Sequence, residues 1–259
     1  MNPFDSLSLS PAVSLSLLAL GAVVFTLAGF VKGVIGMGLP TIAMGLLSVA
    51  MPPAQAAALL VVPSLVTNVW QIAGPGWWAL MRRLATLLVG VCLGIAAGAG
   101  WLTGQGGGSA RITAALGVAL VAYALLGLLK VRLQVNPRHE PWLSPIVGLA
   151  TGLVTAASGV FVIPAVPYLN ALGLGKEELV RALGISFLVS TIALAVSLRS
   201  GGALELGNAL GSLLALLPAL AGMALGQWVR LRVQPELFKR IFFSGLLALG
   251  SYLVLRSML

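Results

Sequence analysis

Lys32 is the single charged residue of an apolar, glycine-rich stretch, and its ammonium group could bind a solute. Burying an ammonium group in hydrocarbon costs about 2.5 to 3.5 kcal/mol on insertion scales, so a lysine at this depth needs a compensating partner. A small anion would be such a partner. The competing interpretation is that the long side chain extends to the membrane interface and binds nothing.

Glycines and hydroxyls beside two predicted helix breaks could complete an anion site. Gly33, Gly36 and Gly38 follow Lys32, and their N–H groups could face a cavity next to the positive end of a helix starting near Leu39. The residues in the matching place of the second half are Thr155, Ser158 and Gly159. A hydroxyl there could donate to an oxyanion without adding a charge.

Close helix packing is the competing explanation for each glycine, because Gly-x-x-x-Gly spacings bring membrane helices together. Such spacings recur at Gly29/Gly33, Gly94/Gly98, Gly148/Gly152 and Gly222/Gly226.

A polar patch follows each predicted break. Ser64, Asn68 and Gln71 share one face of a predicted helix because they are three and four residues apart. Ser186 and Ser190 hold the matching place in the second half. These side chains could line a cavity or form hydrogen bonds between helices, and the two interpretations carry equal weight.

The composition requires a membrane around these groups. Of 259 residues, 59% are hydrophobic and only 8% are charged, with a mean hydropathy of +1.06, which leaves too little polar surface for a soluble globule. The net charge of +9 is spread over separate short loops rather than one basic stripe, which argues against nucleic-acid binding. The single Cys92 excludes an intramolecular disulfide, and we expect it to be a small buried hydrophobic residue.

The chain shows no signature of an enzyme. No Asp or Glu lies deep in an apolar run, and neither a P-loop nor an HExxH motif is present. We therefore predict no catalytic residue, no metal and no cofactor. A carboxylate that would carry protons is also not visible in the predicted spans.

The apolar runs predict an all-α, polytopic membrane bundle. Three runs are clearly shorter than the roughly 17 to 25 residues that a spanning helix needs. They are Leu39 to Ala50, Leu143 to Ala157 and Val160 to Leu172. These runs flank glycine-rich breaks at Gly33 to Gly38 and Gly152 to Gly159. We therefore predict two repeats, 1–130 and 142–259, each a broken or re-entrant helix pair followed by three spanning helices, joined by a basic cytoplasmic linker at 131–141.

Basic residues concentrate in cytoplasmic loops, and this rule sets the predicted orientation. It places eleven Lys and Arg residues inside and three outside, with inner clusters at Arg82-Arg83, at Lys130-Arg132-Arg138 and at Arg230-Arg232 with Lys239-Arg240. Arg181 also lies inside, at the interface, with a role as a gate as the lesser alternative. The repeats are then inverted, and both termini lie outside, the first span being retained because Met1 to Pro11 has no basic residue.

Inverted repeats with matching broken helices are typical of secondary transporters whose site lies at the midplane. We therefore predict a carrier of a small anionic solute that works by alternating access. A passive anion channel is the main alternative, and a membrane subunit without transport activity is the weakest.

Two stretches of sequence resemble the sulfite exporter TauE/SafE family, also called TSUP, of bacterial membrane permeases. The first contains Gly29-x-x-x-Gly33-x-x-Gly36-x-Gly38, Pro52-Pro53-x-x-Ala56 and Ala58-Leu59-Leu60-x-x-Pro63-x-x-x-x-Asn68. The second contains Gly148-x-x-x-Gly152, Gly159-x-x-x-x-Pro164 and Tyr168-Leu169-x-Ala171-Leu172-Gly173-Leu174-x-Lys176-Glu177-Glu178. Both match in order, and together they cover nearly the whole chain.

The resemblance implies transport of sulfite, thiosulfate or organosulfonates, often outward, across the bacterial inner membrane, with protons as a candidate coupling ion. Leu39-Pro40 and Ala156-Ala157 depart from the family's glycine runs, which leaves the substrate open and keeps a permease for an unrelated small anion as an alternative. The sequence does not determine the oligomeric state.

Overall fold

A computed structural model describes residues 11–104, 108–129, 134–204, 206–230, 232 and 235–258. Its regular structure is helical throughout these residues, which agrees with the predicted all-α class. The helices of the first half are α1 (Pro11–Ile35), α2 (Leu39–Ala50), α3 (Pro53–Ile72), α4 (Trp77–Arg83), α5 (Ala85–Ala97) and α6 (Ser109–Leu128). Those of the second half are α7 (Glu140–Ser158), α8 (Ala165–Ala171), α9 (Lys176–Ser200), α10 (Leu206–Arg230) and α11 (Pro235–Met258).

The first predicted break lies between α1 and α2, but α1 continues through Gly33 to Ile35, so the expectation that the break begins at Gly33 was wrong. Gly38 has a φ of 111°, in a left-handed region that side chains with a Cβ rarely occupy. Pro40 then stands in the first turn of α2, where its missing N–H costs no helical hydrogen bond. The bounds of α2 coincide with the short run predicted from the sequence.

The second break is shorter than predicted. Helix α7 continues through Gly152 to Ser158 and has 19 residues, so the expectations of a break from Gly152 and of a short first arm were both wrong. A Cβ at Gly152 would lie 2.3 Å from the carbonyl oxygen of Val91, so this glycine permits close helix contact inside a continuous helix. The break begins at Gly159, where φ is 72°, and α8 follows.

Seven described helices are long and apolar enough to cross a membrane, and an eighth span results if the bent pair α4 and α5 is counted as one. The two helices of that pair meet at 63°. The candidate spans that follow the two broken pairs are α3, α4 with α5, and α6 in the first half, and α9, α10 and α11 in the second. Each broken pair consists of one full-length helix, α1 or α7, and one short arm, α2 or α8.

Small residues bring the helices of the two halves together. A Cβ at Gly29 would lie 2.1 Å from the carbonyl oxygen of Ala219 in α10, and one at Gly148 would lie 2.1 Å from that of Leu87. Helix α1 therefore packs on α10, and α7 packs on α5 in the matching way. The alternative that these Gly-x-x-x-Gly spacings serve helix packing is confirmed at both crossings.

Apolar side chains also cover the outside of the bundle. On α5, Val89 and Leu93 are more than half exposed, and Cys92 on the same helix is exposed as well. The expectation that Cys92 is buried was wrong, because lipid solvates an apolar side chain as readily as the protein interior does.

Candidate functional site

Lys32 lies in the last turn of α1 and is only 2% exposed. Its Nζ donates a hydrogen bond of 3.0 Å to Oγ1 of Thr67 and a second, short one to Oδ1 of Asn68, both on α3. The side chain is therefore directed into the bundle, and the alternative that it extends to an interface was wrong.

The partners of Lys32 are neutral. The Thr67 hydroxyl gives its own proton to the carbonyl oxygen of Pro63, at 2.6 Å, so towards Lys32 it acts as an acceptor. Asn68 accepts through its amide oxygen. Lys32 is the one charged side chain that is buried among the described residues.

The described carboxylates are occupied elsewhere. Glu140 pairs with Arg83 at 2.8 Å, and Glu177 pairs with Arg181 at 3.3 Å. Glu178 accepts a hydrogen bond from the N–H of Gly175 at 3.1 Å. Glu236 is exposed at the start of α11. The ammonium of Lys32 therefore has no carboxylate counterion in the described part of the chain.

Pro63 and Ser212 position the polar segment of α3. Proline has no N–H, so Pro63 leaves the carbonyl of Leu59 without its helical donor. The Ser212 hydroxyl of α10 donates to that carbonyl at 2.8 Å and accepts from the N–H of Val62 at 2.9 Å. Sequence reasoning missed Ser212, and only the spacing of Pro63 from Leu59 could have indicated that a donor was needed.

The predicted patch on α3 divides into three layers. Asn68 contacts Lys32, whereas Ser64, one turn away, has a buried hydroxyl without a hydrogen-bond partner in the described structure. Gln71, one turn in the other direction, donates to the carbonyls of Gly36 and Val180 at 2.8 and 2.9 Å. Thr67, which is not among the predicted binding residues, contacts Lys32 directly.

The predicted hydroxyls of the second half are buried, and most bond to their own helices. Thr155, Ser158 and Ser190 each donate to the carbonyl four residues earlier, at 2.7 to 2.8 Å. Ser186 has a buried oxygen without a partner in the described structure. These bonds hold the hydroxyl protons within the helix, and the Ser158 oxygen also accepts from the N–H of Val160 at 3.2 Å.

A small cavity lies between α3, α9 and the second break. Its volume is about 10 Å³, roughly what one water molecule requires. It brings together Ser64 and Gly159, both predicted site residues, with Thr191 of α9; Lys32 does not line it. The described structure therefore joins residues of both halves at this point.

The predicted glycines separate in the structure. Gly36 and Gly38 form the first break, and the carbonyl of Gly36 binds Gln71. Gly33 instead faces α10, because a Cβ there would lie 2.3 Å from the carbonyl oxygen of Met223. Gly33 serves close packing at this contact.

A larger cavity, of about 360 Å³, lies where α2 meets α3. Its wall includes Ser48, Pro53, Thr113 and Arg256, and Arg256 donates to the carbonyl of Val49 at 2.6 Å. Sequence reasoning did not anticipate this cavity. It lies at the end of α3 away from Gln71, on the side that the charge rule places outside.

Neither cavity is lined by a described group of side chains that could bind a metal ion. The described residues contain no group of three His, Cys, Asp or Glu side chains close enough to hold a metal ion.

A family model described as sulfite exporter TauE/SafE matches residues 20–253 of the 259. Comparison with curated proteins and with solved structures gave no match. The family match includes both helix breaks, Lys32 and the whole polar segment of α3. The chain is therefore a multi-pass membrane protein that belongs to the sulfite exporter TauE/SafE family of transporters.

Proposed function

We propose that this protein carries sulfite or small organosulfonates across the bacterial inner membrane by alternating access, with Lys32 as the group that binds the anion. The observation that carries the proposal is the burial of Lys32 against two neutral oxygens, those of Thr67 and Asn68. A buried ammonium without a counterion costs several kcal/mol, and an anion that pairs with it offsets part of that cost.

The hydrogen bonds of Lys32 leave room for a solute. An ammonium group has three N–H donors, and Thr67 and Asn68 accept two of them. The third is available to a sulfonate or sulfite oxygen. Thr67 and Asn68 thereby hold the ammonium in place, so that the positive charge is already oriented when the anion arrives.

The helix pairings support alternating access. Helix α1 packs on α10 as α7 packs on α5, and the other large contacts join α3 to α9, α3 to α10 and α6 to α11. Every pairing links one half to the other, which is the arrangement expected of inverted repeats around a shared site. The cavity of about 10 Å³ beside Ser64 and Thr191 is smaller than a sulfur oxyanion, so the halves must move to admit one.

A cavity of this size fits a carrier between its two open forms and equally a shut channel, so the flux experiment must separate the two. In the proposed orientation Arg82, Arg83 and Arg181 face the cytoplasm and both termini face outward. Part of the charge pattern behind this orientation, at Lys130 and Arg132, lies outside the described residues, as do Met1 to Ser10.

The test is flux of radiolabelled sulfite in liposomes that contain the purified protein, under imposed pH gradients of either direction. Lys32→Met keeps most of the side-chain length and removes the charge, so it should reduce saturable flux at least tenfold. Lys176→Met is the matched control, because Lys176 is exposed at the start of α9, and its flux should equal that of the unmodified protein.

Counterflow distinguishes the carrier from the channel. External unlabelled sulfite should accelerate the exit of labelled sulfite from a carrier but not from a pore. Absence of sulfite and methanesulfonate flux in both gradient directions would remove the proposed substrates, and equal flux in Lys32→Met would remove the proposed site.

A further inference from the structure

We infer that Lys32 makes this transporter selective for monovalent over divalent anions, so that sulfite crosses as hydrogensulfite and organic solutes cross as monosulfonates. The inference rests on the proposed function, in which Lys32 binds the solute. Membership in the family does not define the charge of the transported solute.

The helices around Lys32 carry few charged residues, and those few lie at the helix ends. Helices α2 and α3 contain no Lys, Arg, His, Asp or Glu, and the only such residue of α10 is Arg230 in its last turn. Helix α11 has Glu236, Lys239, Arg240 and Arg256 in its first and last turns or next to them, and all four are exposed. These four helices therefore present no buried charge to the site, and the one buried charge there is that of Lys32 on α1.

The free energy of the pair that Lys32 forms with an anion depends on the charge of that anion. A monovalent anion beside Lys32 gives a neutral pair, which can move through the bundle without an unpaired charge. A divalent anion leaves one negative charge unpaired in a medium of low dielectric constant, where an isolated ion is strongly disfavoured. The site therefore discriminates by charge before it discriminates by shape.

The buried site also offers few hydrogen-bond donors to an anion. The proton of Thr67 is bound to Pro63, and those of Ser190 and Thr191 are bound to the carbonyls of Ser186 and Phe187. The unpartnered hydroxyls of Ser64 and Ser186 remain as donors, but two hydroxyls replace only part of the water that a strongly hydrated divalent anion must lose. A sulfonate, which spreads one charge over three oxygens, needs fewer donors.

A consequence follows for proton coupling. Hydrogensulfite and sulfite interconvert near neutral pH, since hydrogensulfite releases one proton to form the divalent ion. A carrier that accepts only hydrogensulfite moves one proton with each solute and needs no carboxylate of its own. This is consistent with a bundle in which the described carboxylates lie in the first turns of α7, α9 and α11. A sulfonate is permanently ionised and moves no proton.

The experiment compares methanesulfonate, which is monovalent, with sulfate, which is divalent, at equal ionic strength. Binding to the purified protein is followed by the shift in its thermal unfolding temperature, which requires no transport. Methanesulfonate should stabilise the protein at concentrations at least about tenfold lower than sulfate, because an unpaired buried charge opposes sulfate binding. Lys32→Arg should keep this preference, and Lys32→Met should lose stabilisation by methanesulfonate while Lys176→Met retains it.

Liposomes supply the second measurement. Initial sulfite flux, corrected for protein-free liposomes, should fall as the pH on the donor side rises through neutrality, whereas methanesulfonate flux should not change. Stabilisation by sulfate at concentrations equal to those of methanesulfonate, or sulfite flux that rises with pH, would overturn the inference while leaving sulfite transport intact. Selective stabilisation by methanesulfonate without sulfite flux would instead support the charge selection and remove sulfite from the proposed function. Stabilisation by neither anion would overturn the inference itself.

Discussion

The hydroxyl of Ser212 donates a 2.8 Å hydrogen bond to the carbonyl oxygen of Leu59, the group that Pro63 leaves without a backbone donor. A side chain from the second half thus completes the hydrogen bonding of a helix in the first half. The repaired segment lies directly before Thr67 and Asn68, so the position of the Lys32 site depends on this contact.

Ser212→Ala should therefore destabilise the protein by about 1 kcal/mol, the usual net value of one such hydrogen bond. The measurement is the midpoint of denaturant unfolding in detergent. Pro63→Ala restores a backbone donor to Leu59, so the cost of Ser212→Ala should shrink in that background. An equal cost in both backgrounds would show that Ser212 acts through something other than the carbonyl of Leu59.

The crossing of α1 and α10 should be intolerant of a single methyl group. A Cβ at Gly29 would lie 2.1 Å from the backbone oxygen of Ala219, so Gly29→Ala should cost about 1 to 3 kcal/mol by forcing the helices apart. Gly21 on the same helix has no atom within 4 Å of its Cβ position, which makes Gly21→Ala the matched control. If both variants unfold at the same denaturant concentration, the close contact of α1 with α10 at Gly29 is disproved.

Gln71 should hold the basic end of the bundle closed, the end that bears Arg82, Arg83 and Arg181. Its amide ties the first break to α9 through Gly36 and Val180, one turn from the Lys32 layer. Gln71→Met keeps the bulk and removes both donors. It should raise labelling of Ser64→Cys from the cytoplasmic side about tenfold, as expected for a shift of about 1.4 kcal/mol between closed and open forms.

The assay uses a membrane-impermeant thiol reagent in vesicles of both orientations, with Cys92 replaced by Ala because it is exposed. Gln55→Met is the control, since Gln55 is exposed near the opposite end of α3. Faster labelling from the outer side alone would assign Gln71 to the other gate, and no change from either side would deny it a closing role.

The ion pair between Arg83 and Glu140 should contribute little to stability. Both bonds measure 2.8 Å, but the Arg83 side chain is 42% exposed, so water and salt screen the pair. Arg83→Gln should shift the free energy of unfolding by less than about 1 kcal/mol, and the shift should shrink further in high salt. A larger, salt-independent loss would mean that this contact between α4 and α7 is structural.

The sequence by itself determined the membrane, the family and the location of the first break. These features depend on composition and on local chain chemistry. Helix α2 begins and ends where its apolar run does, because Gly38 permits the left-handed backbone before the helix and Pro40 fits its first turn. Lys32 could be singled out for the same reason, since a charge in an apolar run is visible without a structure.

Only the tertiary structure decided what each of these residues contacts. Gly152 and Gly159 are both glycines beside an apolar run, but Gly152 sits against the backbone of α5 while Gly159 adopts a left-handed conformation and ends α7. The pairing of Lys32 with Thr67, the tie from Gln71 to Gly36 and Val180, and the repair of Leu59 by Ser212 join residues 35 to 153 positions apart. Local propensity carries no information over that separation, because the packing of the helices against one another determines these contacts.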